Sequence, residues 1–151
     1  MVKYHQYEHS DLRAFAEIDR ACFEPMFRYS EGLFRELLAK SSVFTYVEKE
    51  DGAIAGFVVA EKMGNGGMRG HIITLDVKHG CRRKGVGAGL LEAAENQLAE
   101  TGVKEVGVEV WTGNTAGLEF FTKMGYEDVK VTSNYYAKGY DAWVGRKHTN
   151  F

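Results

Sequence analysis

Between positions 81 and 91 the chain reads CRRKGVGAGLL. Three cations, Arg82, Arg83 and Lys84, and three glycines, Gly85, Gly87 and Gly89, stand between a strand-like run and a helix-like run. The first amides of a helix lack intrahelical partners and carry a partial positive charge, and a residue without Cβ lets an anion approach them closely. Full charges beside those amides complete what a diphosphate requires; the competing reading is a solvated basic turn. Two familiar phosphate loops fit the letters poorly, the first of them failing outright. Gly80 is followed five residues later by Gly85-Val86 rather than by Gly-Lys-Ser or Gly-Lys-Thr, so this is not a P-loop. The dinucleotide fingerprint started at Gly85 would need glycine where Leu90 stands.

The other chemically capable residues lie near strands. Glu109, in VGVEVW, points opposite to Val108 and Val110 by strand alternation, either to solvent or into a site. Asp76 ends the strand-like run HIITLDV, where a carboxylate is commonly structural. Asn114 precedes a helical pattern and suits its N-cap. Tyr135 and Tyr136 fall near a hairpin, where tyrosines can simply staple strands. His71 and His79 have no partner that the sequence identifies, and neither is assigned to catalysis.

These residues must be positioned by a chain of 151 residues with 44% hydrophobic and 26% charged content and one proline, an ordinary globular composition expected to fold as one domain over 1–151. A formal net charge of −2 gives no global field for nucleic acid or an anionic membrane, so any anion site is local. Cys22 and Cys81 lack the paired spacing of a zinc or redox motif and read as free thiols; no metal is expected. The opening MVKYHQYEHSD has no apolar core of signal-peptide length and no run reaches membrane-span length, so a cytoplasmic protein is expected, a monomer or weak homodimer.

Residues 1–8 read as a short strand. Ser10 or Asp11 caps a helix over about 11–22 with Leu12, Phe15 and Ile18 on one face, a loop runs around Glu24 and Pro25, and Ser30 caps a second helix. SVFTYVEKE and AIAGFVVAEKM flank Asp51-Gly52, a hairpin signal, and Gly64-Asn65-Gly66-Gly67 turns into HIITLDV. A helix then runs from the glycine-rich turn to about Thr101-Gly102, followed by the strand VKEVGVEVW, a helix over 114–124 and strands over 126–133 and 138–146. Strand, long helix, strand is a crossover unit, which makes the runs at 71–77 and 104–111 parallel neighbours. The order is β-αα-βββ-α-β-α-ββ, an α+β fold with a mixed, mostly antiparallel sheet of about seven strands and four helices on both faces.

Arg82, Gly85 and Gly87 fill the pattern Arg/Gln-x-x-Gly-x-Gly/Ala after a strand ending LDV, and here the sequence resembles the GNAT superfamily of acetyl-CoA-dependent N-acyltransferases. EVWTGNTAGLEFFTKMGYE and SNYY, together with DLRAFAEIDRACF, resemble the ribosomal-protein alanine N-acetyltransferase (RimI-like) group within it. The resemblance implies that the CoA diphosphate rests on the amides of Arg83, Lys84, Gly85, Val86, Gly87 and Ala88, with Arg82 alongside. It implies that Leu75, Asp76 and Val77 present backbone groups to the pantetheine arm on a bulged, splayed strand, with the Val77 amide polarising the acetyl carbonyl. Glu109 takes the position of the general base, Asn114 that of the asparagine bonded to pantetheine, and Tyr135 and Tyr136 those of the peptide groove. Asp76 is also an auxiliary-base candidate.

Two positions depart from the pattern. The tyrosine that protonates the leaving thiolate falls at Phe121, next to the cofactor, and a phenyl ring cannot donate a proton; Tyr126, Tyr135, Tyr136 and Tyr140 are candidate substitutes. Trp111 stands where the group carries arginine. The expected activity is acetyl transfer from acetyl-CoA to a primary amine, foremost a protein N-terminal α-amine. A small amine or amino acid as acceptor, or a CoA-binding sensor without turnover, are the alternatives.

Overall fold

A computed structural model describes residues 2–5, 8–64 and 68–149. Its elements are β1 (Val2–Tyr4), α1 (Asp11–Cys22), α2 (Glu31–Leu38), β2 (Val43–Glu50), β3 (Ala53–Met63), β4 (Arg69–Val77), α3 (Val86–Glu100), β5 (Glu105–Trp111), α4 (Thr115–Lys123), β6 (Glu127–Ala137) and β7 (Tyr140–His148). This is the order expected from the sequence. Two short 3-10 turns are additional, Pro25–Phe27 where a loop was expected and His79–Cys81 before the glycine-rich segment.

One sheet in the order β1-β2-β3-β4-β5-β7-β6 joins all seven strands, and its single parallel pair is β4 with β5. The helices divide between the faces. Leu12, Phe15, Ile18, Phe34 and Leu38 of α1 and α2 pack on Phe57 and Val59 of β3, with Phe15 stacked on Phe57 at 4.3 Å between ring centroids. Leu90, Leu91, Ala94 and Leu98 of α3 and Phe121 of α4 pack on the other face, against Val58, Ala60, Val106, Val108 and Val110. Strand alternation thus sends neighbouring residues of β3 into two different cores. Each large apolar side chain so buried contributes on the order of 2 kcal/mol.

Local signals explain most boundaries. Asp51 and Gly52 both have positive φ, as a tight hairpin turn demands, and the Ser30 hydroxyl accepts from Leu33 N–H at 3.1 Å. At the start of α1 the expected Ser10 cap is absent; the Asp11 carboxylate instead accepts from Glu8 N–H at 2.8 Å and lies 2.7 Å from His5 Nε2. The helix is closed by its own first residue. Gly64 opens the next turn with φ +85°, while Asn65, Gly66 and Gly67 lie outside the described residues. The last hairpin is longer than expected, because Gly139 at φ +83° brings Ala137 and Tyr140 into register.

Two irregularities of β4 shape the centre of the sheet. In its pairing with β3, Val59 faces Thr74 and Ala60 faces Ile72, so Ile73 is an extra residue, a bulge. Its pairing with β5 stops at His71 and Gly107, although both strands continue. Beyond that point β4 stays bonded to β3, and β5 to β7, so their inner edges face one another unpaired.

Candidate active site

The unpaired wedge between β4 and β5 is where the candidate residues converge. Backbone groups on an inner sheet edge need partners, and an extended chain carrying amides is the kind of ligand that supplies them. The α3 N-terminus lies at the end of β4, connected by the basic turn. Gly85 holds φ +80° and Arg83 +64°, a left-handed backbone at the helix mouth that is natural for the glycine. A Cβ on Gly87 would come within 3.4 Å of the Phe120 ring, so glycine there keeps the first helical turn open beside Val77 and Phe120. Exposed amides, absent side chains and cations fit a diphosphate at this turn.

The three cations are not equivalent. Arg82 Nε donates to the Val77 carbonyl at 3.1 Å, and the Cys22 thiol reaches the same oxygen at 3.4 Å. Lys84 pairs with Glu50, at the end of β2, at 3.0 Å. Arg83 is exposed and makes no ion pair among the described residues. Arg82 therefore fixes the end of β4, and Arg83 is the cation most available to an anion.

The bulge at Ile73 decides which β4 side chains reach the wedge. Residues 71 and 76 are five apart and would lie on opposite faces of a regular strand; the extra residue puts His71, Thr74 and Asp76 on the α1–α2 face, while Ile72, Leu75 and Val77 pack toward α3. On β5, Val106, Val108 and Val110 point into the α3 core, and Glu105, Gly107, Glu109 and Trp111 to the other face. Glu109 stands two residues beyond the Gly107 opposite His71, and the two side chains meet diagonally: His71 Nε2 is bonded to Glu109 Oε2. Both are about one quarter exposed. The His71 hydrogen bond, with the charge of Arg146 adding, holds the Glu109 carboxyl below the usual carboxylate range against the opposing effect of burial.

Aromatic rings wall the space next to Glu109. Phe27 packs on Trp111 at 5.2 Å and on Tyr136 at 4.9 Å, Trp111 on Tyr140 at 5.7 Å, and Tyr135 on Tyr136 at 4.9 Å. Burial raises the phenols of Tyr29, Tyr135 and Tyr136, and the Glu109 charge raises all three further, so they stand as neutral donors around the carboxylate. Two clefts, one lined by Glu92, Glu95 and Lys147 and another by Ile18, Ile54 and His79, lie apart from these groups.

The sequence profile of the Acetyltransferase (GNAT) family matches residues 12–126. The chain belongs to this family of acetyltransferases. It is 32% identical over 139 residues to an uncharacterized N-acetyltransferase of Methanocaldococcus jannaschii, covering 91% of this chain and 85% of that one. It is 27% identical over 145 residues to an N-alpha-acetyltransferase of Sulfurisphaera tokodaii, covering 89% and 86%. In fold it matches the ribosomal-protein-S18-alanine N-acetyltransferase of Escherichia coli with a TM-score of 0.84 at 21% identity, covering 100% of this chain and 96% of that one. It matches Ard1 of Thermoplasma volcanium with 0.85 at 23%, covering 99% of both. The protein is an acyltransferase, and acetyl-CoA is the cosubstrate of its family.

Within this acetyltransferase the expected residues separate into two groups. Glu109, Tyr135, Tyr136, the backbone of Leu75, Asp76 and Val77, and the turn from Arg83 to Ala88 border the wedge and the helix mouth. The Asp76 side chain does not: it is fully buried under α1 beside Asp19, out of reach of an acceptor. Asn114 Oδ1 caps α4, accepting from Gly117 N–H at 2.9 Å, which leaves its NH2 as the group a ligand could use. Phe121 is buried in the α3–α4 core, edge-on to Phe120 and Tyr126. Tyr126 is no substitute acid, because its hydroxyl donates to Glu95 at 2.7 Å in a buried pair that also holds Lys147, and burial beside that carboxylate raises its phenol far above the ordinary value. His71 and Tyr29 were missed by the sequence reading. His71 opens the same strand as the assigned Val77, but only the parallel register with β5 makes it a partner of Glu109. His79 bonds the Ala21 carbonyl at 2.9 Å and serves the α1 end. No helix among the described residues is long and apolar enough to cross a membrane.

Proposed function

We propose that this acetyltransferase moves acetyl from acetyl-CoA to the α-amine of a protein N-terminus. The observation that carries the reading is the His71–Glu109 pair at the mouth of the β4–β5 wedge, flanked by the aromatic wall. The similarity to N-alpha-acetyltransferases over most of the chain supports the acceptor class.

Acetyl-CoA, bound with its diphosphate on the amides of residues 83–88, supplies the activated acyl group. Leu75, Asp76 and Val77 offer backbone partners along β4, and the Val77 N–H is the donor to the acyl oxygen, a contribution of about 3 kcal/mol to the transition state when such a donor is preorganised. Glu109 stays ionised at neutral pH because His71 bonds its charged form. An α-amine has an appreciable neutral fraction at that pH, unlike a lysine, so a weak base suffices. As the amine nitrogen bonds the acyl carbon and the carbon–sulfur bond breaks, the surplus amine proton passes to the Glu109–His71 pair. A thiolate is a tolerable leaving group near neutral pH, which makes the phenyl ring at 121 acceptable. Tyr29, Tyr135 and Tyr136 donate to the backbone of the incoming peptide.

Trp111 favours a second reading. Its packing against Phe27 and Tyr140 narrows the groove beside Glu109, which would suit a small amine. Incubation with labelled acetyl-CoA and matched panels of peptides and small amines, followed by mass spectrometry, separates the two. Acetylation of peptide α-amines is expected; label found only on small amines or on lysine side chains would overturn the peptide reading.

A further inference from the structure

Asp19 of α1 and Asp76 of β4 are both fully shielded from solvent, and each keeps one carboxyl oxygen, Asp19 Oδ1 and Asp76 Oδ2, without a protein donor. Their other oxygens are satisfied: Tyr29 N–H donates to Asp19 Oδ2 at 2.7 Å, and the Thr74 hydroxyl donates to Asp76 Oδ1. The two side chains adjoin, each carboxyl acting on the other. Two carboxyls can bond only when one carries a proton, and a proton between the orphan oxygens satisfies both.

The surroundings decide where it resides. Burial, and then the adjoining Asp19, push the Asp76 carboxyl well up. Asp19 is also raised by burial, but the bond from Asp76, the Tyr29 amide and the Arg28 guanidinium all favour its charged form. The groups facing the pair are Cys22 from α1, Arg28 and Tyr29 from the α1–α2 connection, Thr74 from β4, and Arg82 from the turn before α3. None of them delivers a second proton donor to the orphan oxygens.

We propose that Asp76 as a carboxylic acid and Asp19 as a carboxylate form a positioning pair that fastens the acceptor-side segment bearing Phe27 and Tyr29 to the cofactor-side strand β4. The connection is continuous: Tyr29 N–H to Asp19, Asp19 to Asp76, and Asp76 by one peptide bond to Val77, whose carbonyl is gripped by Arg82 and Cys22. At the other end Phe27 carries the position of that segment to Trp111 and Tyr136. Removing the shared proton sets two buried carboxylates against each other and releases the segment. The sign follows from the raised value. The stabilisation is complete at pH below an ordinary carboxylate's titration and is lost as pH rises through the raised one. The account rests on the proposed function in taking Phe27 and Tyr29 as the acceptor side.

The test uses Asp76→Asn, which keeps a donor toward Asp19 and an acceptor for Thr74 but cannot ionise. Asp19→Asn, which keeps the bond with the amide as donor in the other direction, is the second variant. Each is made in a Trp143→Phe background, leaving Trp111 as the only tryptophan and a reporter of Phe27. The unsubstituted pair should show the infrared band of a protonated carboxyl, absent in Asp76→Asn. As pH rises through the raised Asp76 titration, its Trp111 emission should shift and the KM for an N-terminal peptide should rise about fivefold or more, at the low end of ordinary coupling between sites, with kcat changing less. Both Asn variants should be flat in emission and KM. Absence of the carboxyl band, or the same pH dependence in the variants, would overturn the proposal. So would a pH-dependent melting temperature with unchanged emission and KM, which would reduce the pair to packing. Should no peptide be acetylated at all, the acceptor reading fails while the band and the Trp111 emission still decide for or against the pair.

Discussion

The mouth of α3 and the face of β4 and β5 that carries Glu109 solve the problem of holding charge in opposite ways. At the helix mouth the proposed anion partner is backbone, set by a few consecutive residues with left-handed φ at Arg83 and Gly85, and the cations around it are exposed. On the sheet face, charge resides in side chains drawn from distant parts of the chain, His71 bonded to Glu109 and Asp19 adjoining Asp76, in a partly or fully dry setting. A local, wet site tolerates loss of one side chain because water and amides remain. A remote, dry pair does not, because the survivor is left without its counterpart. The cofactor end should therefore degrade gradually under mutation and the chemical end abruptly.

Substitutions at the two ends break or sharpen that contrast. The largest effect is expected for Glu109→Gln, which removes the proposed base: kcat/KM for a peptide with a free N-terminal α-amine should fall by about 10²-fold or more, with circular dichroism unchanged. His71→Ala should cost roughly tenfold, the size of a lost hydrogen bond to a charged group. It should also shift the pH profile in a defined direction. Glu109 is held low by His71, so without it the carboxyl returns upward and the acid limb of kcat/KM moves to higher pH; an unmoved limb would remove His71 from the pair. For stability the sign is that of a depressed carboxylate, a contribution present above the ordinary value and lost as pH falls through the lowered one.

At the helix mouth the effects are smaller. Gly85→Ala meets no neighbouring atom but must hold φ +80°, which costs about 1 kcal/mol and should lower Tm by roughly 3 °C. Alanine at both Arg83 and Lys84 should raise the KM for acetyl-CoA roughly two- to fivefold, an effect that fades with added salt, while kcat holds. A hundredfold loss there, or a mild one at Glu109, would reverse the comparison.

The same division governs what could be read from the letters. The fold was legible because its signals are local: Ser30 at an N-cap, Asp51-Gly52 in a hairpin, Gly102 at φ +95° closing α3 with Val103 N–H on the Leu98 carbonyl. The glycine turn that opens α3 was legible for the same reason. Glu109 could be picked out by strand alternation and family spacing. Its partner could not, since His71 lies 38 residues away and reaches it only through a parallel register that no pattern encodes. Asp76 was read as a backbone contact with a possible auxiliary role; the single-residue bulge at Ile73 turns its side chain under α1 instead. Bulges and the internal engagement of Arg82 are products of packing, visible only once the elements are assembled.

A crystal structure with a bisubstrate analogue, CoA joined through an acetyl linker to a short peptide's α-amine, bears most directly on the account. It should place the diphosphate on the amides of residues 83–88, the linker carbonyl at Val77 N–H and the peptide nitrogen beside the Glu109–His71 pair, with the peptide along Tyr29, Tyr135 and Tyr136. A diphosphate bound away from α3, or a peptide nitrogen facing away from Glu109, would contradict it.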